Sequence, residues 1–162
     1  MSQQTPVSSP STDLIIRKAK PADASALREL YHKHLTSRPP KEVQDIQVWQ
    51  EKIGGFERDS HYHLLLGEVD GSVVSSVTLV VIENLTRNQR PYALIENVVT
   101  HADYRGKGYA AKLIAAASSI AEQLGCYKVM LMTGSKEDST LNFYEKCGFN
   151  SEDKTAFIKW LE

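Results

Sequence analysis

The chain has no run of about 20 apolar residues, so no segment reads as a membrane span. It has no basic excess either: 19 Lys and Arg stand against 20 Asp and Glu in 162 residues. A net charge of -1 argues against a nucleic-acid binder, which needs a basic patch to meet phosphates. Cysteine is scarce. Cys126 and Cys147 are too few for a disulfide framework and read as reduced thiols of a cytoplasmic protein. No histidine has neighbours at metal-ligand spacing, so no metal is expected. His32 and His34 fall on a predicted helix, His61 and His63 alternate along a predicted strand, and surface positions are expected for them. The first twelve residues, MSQQTPVSSPST, lack the basic and apolar regions of a signal peptide. They are expected to form a disordered tail ahead of one domain spanning residues 13–162.

Hydrophobic residues make up 41% of the chain, enough for a core, and their spacing outlines the elements. Leu14 to Lys18 reads as a strand. Lys20-Pro21-Ala22-Asp23 starts a helix that runs to about Leu35 and breaks at Ser37-Arg38-Pro39-Pro40. A second helix, Lys41 to Ile53, is expected to stop at Gly54-Gly55. Strands His63 to Val69 and Ser72 to Ile82 flank Asp70-Gly71, a hairpin signal. After a polar loop, Glu83 to Pro91, come a strand (Tyr92 to Thr100), an alanine-rich helix (Ala110 to Leu124, closed by Gly125) and a short strand (Lys128 to Met132). A helix from Ser139 to Lys146 precedes Gly148, and Phe149 with Ala156 to Leu161 supplies the last strand. This order predicts an α/β (α+β) domain with a mixed, mostly antiparallel sheet flanked by helices.

Arg105-Gly106-Lys107-Gly108-Tyr109-Ala110 stands where a strand hands over to a helix. The first amides of a helix lack intrahelical partners and sit at the positive end of its dipole, where phosphates bind readily. Two glycines let the backbone approach an anion. The segment has neither the Gly-Lys-Ser/Thr of a P-loop nor the third glycine of a dinucleotide fingerprint. Its spacing alone fits a phosphate site and an ordinary turn equally.

Arg-x-x-Gly-x-Ala at Arg105 to Ala110 resembles the pyrophosphate-binding motif of the GNAT superfamily of N-acetyltransferases. The strand Ile95-Glu96-Asn97-Val98-Val99 before it agrees, as do the strand Lys128 to Met132 and the downstream Asn142-Phe143-Tyr144-Glu145-Lys146-Cys147-Gly148-Phe149. Within the superfamily these stretches are most similar to glucosamine-6-phosphate N-acetyltransferases. Asn97 stands where those enzymes tend to carry Asp.

The resemblance implies acetyl-CoA as co-substrate and a primary amine of a small molecule as acceptor, such as an amino sugar phosphate. Transfer would be by direct attack in a ternary complex, and a homodimer is compatible with it. It places the pyrophosphate on the amides of Gly106, Lys107, Gly108, Tyr109 and Ala110, with Arg105 opening the motif. Val98, Val99 and Thr100 would splay from the neighbouring strand and pair with pantetheine, and the Val98 amide would meet the oxyanion. Tyr144 is then the general acid, or otherwise a core aromatic. Glu96 interrupts an apolar strand. It is either the base, or the holder of the amine through water, or one half of an ion pair. His101 is expected to cap or line the turn. The acceptor is expected between the first two helices, the Glu83 to Pro91 loop and Glu96, with Arg87 and Arg90 either available to an anionic group or simply part of a solvated hairpin loop. A non-catalytic acyl-CoA-binding module and a protein N-acetyltransferase are the alternatives.

Overall fold

A computed structural model of the chain describes residues 13–38 and 41–161. The predicted tail, residues 1–12, lies outside the described residues, as do Pro39 and Pro40 of the predicted helix break. Sheet formation turns on Asp70 and Gly71, whose φ of 49° and 77° supply the left-handed pair of a tight hairpin turn. They join β2 (Tyr62–Val69) to β3 (Ser72–Ile82). β1 (Ile15–Lys18) pairs antiparallel with β2, and β4 (Tyr92–Thr100) pairs antiparallel with β3. β5 (Val129–Leu131) lies parallel to β4, so the sheet order is β1-β2-β3-β4-β5.

Helices cover both faces. On one, α1 (Ala24–Leu30) and α2 (Ile46–Arg58) bury Leu27 and Ile53 against Leu64 and Leu66. After α1 the chain winds as a π turn over Tyr31–Leu35, where the Thr36 amide reaches back to the Tyr31 carbonyl. On the other face, α4 (Tyr109–Gln123) packs Leu113, Ile114 and Ala117 over Val77, Leu79 and Ile95. Gly67 of β2 permits that approach: a Cβ there would sit 3.0 Å from Leu113 and 2.9 Å from Leu14. Between β3 and β4, α3 (Thr86–Gln89) is a single turn of unusual hand, with Arg87, Asn88 and Gln89 at φ 56°, 58° and 57°.

The chain stops its later helices in one way. After α4 the Cys126 amide bonds to the Ala121 carbonyl and Gly125 bonds to Glu122. After α5 (Asp138–Lys146) Phe149 bonds to Tyr144 and Gly148 to Glu145. Both are Schellman closures, with Gly125 and Gly148 at φ 77° and 92°.

Three expectations about the elements are corrected. The second helix does not run from Lys41 to Ile53. It starts after Asp45, whose carboxylate takes the Gln47 amide, and passes through Gly54-Gly55 to Arg58. Gly54 is buried close to Pro21 and Arg58, so packing on the short 3-10 turn before α1 (Pro21–Asp23) holds the helix across it. No strand forms from Ala156 to Leu161: the segment is exposed, with Phe157 at 92% and Trp160 at 75%, while Phe149 closes α5. β5 at that edge is only three residues long and offers little to pair with. His63 is not at the surface. It is 7% exposed, because β2 is covered by helices on both sides and alternation does not lead outward.

Candidate active site

The site is organised by a fault in β4. Thr78 pairs with Glu96 and Ser76 pairs with Val99, so Val77 alone faces both Asn97 and Val98. This is a β-bulge, and Asn97 carries its left-handed turn at φ 54°, a conformation Asn tolerates better than most residues. The bulge changes which amides face outward. Ahead of it the Ala93 amide points toward β5 and bonds to the Lys128 carbonyl. Beyond it the His101 amide points the opposite way, to Val74 of β3, and the Ser75 hydroxyl reaches the Val99 carbonyl at 2.8 Å. By strand alternation, Val98 and Thr100 therefore turn their amides toward the β5 side. Among the described residues no strand meets them there, because β4–β5 pairing ends at Ile95 and Leu131. The two strands open into a gap.

The glycine-flanked turn stands at the mouth of that gap. His101 caps a short 3-10 turn (Ala102–Tyr104) by accepting the Asp103 amide on Nδ1, as expected. Gly106 and Gly108 follow at φ 75° and 77°, and Gly108 leads directly into α4. None of the amides of residues 106–110 finds an acceptor among the described residues. A Cβ at Gly106 or Gly108 would meet nothing within 4 Å, so the backbone here is open to an incoming group. Orphan amides on the positive end of a 15-residue helix fit a pyrophosphate. Arg105 is partly used by the fold: its Nε donates to the Thr100 carbonyl and its Nη2 to the His34 carbonyl. The Lys107 ammonium rests 4.9 Å from the Tyr104 ring centre.

Tyr144 comes to the same region from α5. It is half-buried and packs edge-on to Phe143 at 5.1 Å. Burial pushes its phenol up from the ordinary value, and the neighbouring Cys147 and Glu96 add to this, so the hydroxyl stays protonated at neutral pH. The same interaction places Glu96 within electrostatic reach of Tyr144. Glu96 also lines a cavity of about 440 Å³ between α1, α2 and the sheet, beside Asn97 and Thr78. Glu96 thus links this cavity to the bulged end of β4, where the strands part.

Sequence reasoning missed the cavity's walls. Tyr31, Trp49, Phe56 and Tyr62 supply them; in α2 their signal was the apolar series Ile46, Trp49, Ile53, Phe56 at helical spacing. Of the two readings of Arg87 and Arg90, the one at the acceptor is not met, since neither lines the cavity. Arg90 donates to the Gly125 and Cys126 carbonyls, and Arg87 sits 5.7 Å from the Tyr127 ring centre. The left-handed turn of α3 sends both toward the end of α4, and the Glu83 to Pro91 loop does not line the cavity. Among the described residues no group of three or more His, Cys, Asp or Glu is placed to hold a metal, and no helix is long and apolar enough to cross a membrane.

Known proteins share this fold. The Acetyltransferase (GNAT) family model matches residues 24–149. A glucosamine 6-phosphate N-acetyltransferase of Trypanosoma brucei brucei is 32% identical over 145 residues, 88% of this chain and 92% of that one. A putative acetyltransferase from Agrobacterium tumefaciens str. C58 superposes with a TM-score of 0.80 at 36% identity, covering 90% of this chain and 99% of its own. Glucosamine-6-phosphate N-acetyltransferase of Arabidopsis thaliana has the same fold, with a TM-score of 0.81 at 20% identity over 93% of this chain and 99% of its own.

Proposed function

The chain belongs to the GNAT acetyltransferase family, and from that premise we propose that it moves an acetyl group from acetyl-CoA to a primary amine of a small molecule. What supports this reading is the gap beside Val98, which lies along the chain between the cavity residue Glu96 and the open amides of residues 106–110.

Acetyl-CoA supplies an activated acetyl carbonyl and a thiolate leaving group. The amides of Gly106, Lys107, Gly108, Tyr109 and Ala110 would hold its pyrophosphate, with Arg105 and Lys107 adding positive charge. The free backbone edge of Val98, Val99 and Thr100 would align the pantetheine arm. In the cavity Glu96 would take the proton that makes the amine nucleophilic, directly or through water. The amine nitrogen then forms its bond to the carbonyl carbon, and the Val98 N–H donates to the carbonyl oxygen as charge gathers there. As the carbon–sulfur bond breaks, Tyr144 delivers its hydroxyl proton to the sulfur. The nitrogen then gives up its second proton, which returns through solvent to the Tyr144 phenolate, and Glu96 releases the first proton to solvent, so the protein ends unchanged. Amide and free thiol are the products.

The relative at 32% identity is named for glucosamine 6-phosphate, which places that amine among the acceptors to be tried. Free-thiol release in the presence of acetyl-CoA and a panel of amines tests the reading. Thiol appearing only when an amine is added is the expected result. Firm acetyl-CoA binding with no release on any amine would leave a binding module instead.

A further inference from the structure

We propose that the preferred acceptor is a primary amine on an apolar alkyl or aryl body, and not an amino sugar phosphate. This rests on the acetyl-transfer reading and concerns the cavity at Glu96.

The cavity walls are aromatic and aliphatic. Tyr31 and Trp49 meet edge to face at 6.0 Å, Phe56 and Tyr62 stack at 4.6 Å, and Val48 and Val80 complete the apolar surface. The charged lining consists of Glu96 and Lys52. Glu96 stands at the end where transfer occurs, and it suits an ammonium that arrives charged and leaves neutral. Tyr31 and Trp49 line the same cavity, where aromatic rings suit a cation as well as an apolar body. An apolar body then fills the space between the rings.

A phosphate has poor prospects in this lining. It would need a fork of arginine donors, a helix N-terminus or several lysines. Lys52 is a single, solvent-exposed ammonium. Arg87 and Arg90 are engaged at the end of α4, and Arg28 donates to the Gln44 carbonyl. The N-terminus of α2 is already occupied by the Asp45 carboxylate, which would also repel an anion. A phosphate dianion would thus lose water against aromatic walls with one exposed partner.

The test measures thiol release by the full chain at saturating acetyl-CoA. Acceptors are butylamine, hexylamine, phenethylamine, glucosamine and glucosamine 6-phosphate. The kcat/KM should rise about fourfold per added methylene until the cavity is filled. Phenethylamine should exceed glucosamine 6-phosphate by at least about tenfold. Hexylamine should raise the Tm of the CoA complex at concentrations where glucosamine 6-phosphate does not. Trp49→Ala should lower kcat/KM for phenethylamine by at least about tenfold and leave the KM for acetyl-CoA unchanged. Val48→Asp on the exposed wall should act in the same direction without disturbing the core. A flat alkylamine series with glucosamine 6-phosphate as the best acceptor would overturn this proposal and leave acetyl transfer intact. No thiol release on any amine would overturn both.

Discussion

Gly108→Ala isolates the contribution of backbone conformation to the cofactor turn. Gly108 has φ 77° and ψ 9°, and a Cβ placed on it meets no atom within 4 Å. The substitution therefore adds no clash, and its cost is the left-handed conformation alone, about 1–2 kcal/mol for an L residue. Two states can carry that cost. If the turn keeps its shape without ligand, the folded protein carries the strain and Tm falls about 2–8 °C, at about 2–4 °C per kcal/mol for a chain of this size. If the free turn relaxes, binding must restore the shape, and the Kd for CoA rises about 5–30-fold. Calorimetric titration of CoA and thermal denaturation of the same sample measure both, and the two losses should sum to about 1–2 kcal/mol. Unchanged Tm together with unchanged CoA affinity would refute the argument that this turn is held left-handed to receive the cofactor.

Tyr144→Phe keeps the ring packed against Phe143 and removes the proton, so kcat should fall about 10²–10⁴-fold with little change in CoA affinity; a kcat within a few-fold of the parent would remove Tyr144 from the acid's role. Asn97→Val puts a β-branched residue at φ 54° and should cost about 1–2 kcal/mol of stability in denaturant unfolding, whereas Asn97→Gly should be near neutral; equal losses would show that the bulge is not held by the residue's conformational tolerance. His63 has its pKa lowered chiefly by burial, and neither ring nitrogen has a hydrogen-bond partner among the described residues. The unfolded chain then takes up a proton near pH 6.5 that the folded protein resists, so this group lowers stability as pH falls from 7 to 5. His61, whose pKa is raised first by Glu83 and then by Asp59, acts in the opposite sense: its stabilisation is present at low pH and lost as pH rises. The readout is therefore the difference between the parent and His63→Phe, which should show a shallower loss on acidification; parallel stability–pH curves would contradict the burial argument.

Local chemistry was legible in the sequence, and so was anything it alone decides. Asp70-Gly71 specified the hairpin because a two-residue turn of this kind demands left-handed backbone. Gly125 and Gly148 marked helix ends for the same reason. Gly54-Gly55 misled because its helix is held by Pro21, some thirty residues earlier, and no local rule registers that contact. Ala156 to Leu161 is a mostly apolar run of strand length, but a strand also needs an edge to pair with, and β5 offers only Val129–Leu131. At the site, the motif residues could be named from sequence. The aromatic cavity could not, since nothing local relates Trp49, Phe56 and Tyr62 to Glu96 until the fold brings them together. Arg87 and Arg90 illustrate the converse: the loop was identified, but its hand decides where the guanidinium groups go.

The bulge at Asn97 also limits what mutagenesis can see. Val98 and Thr100 present peptide N–H groups to the gap, and every amino acid except proline carries the same group. Side-chain scanning across these positions will read out packing in the core and stay blind to the edge itself. A library screen would rank them as tolerant and miss their chemistry. Replacing a single peptide link with an ester, which deletes the donor and keeps the side chain, is the perturbation to which this edge would respond.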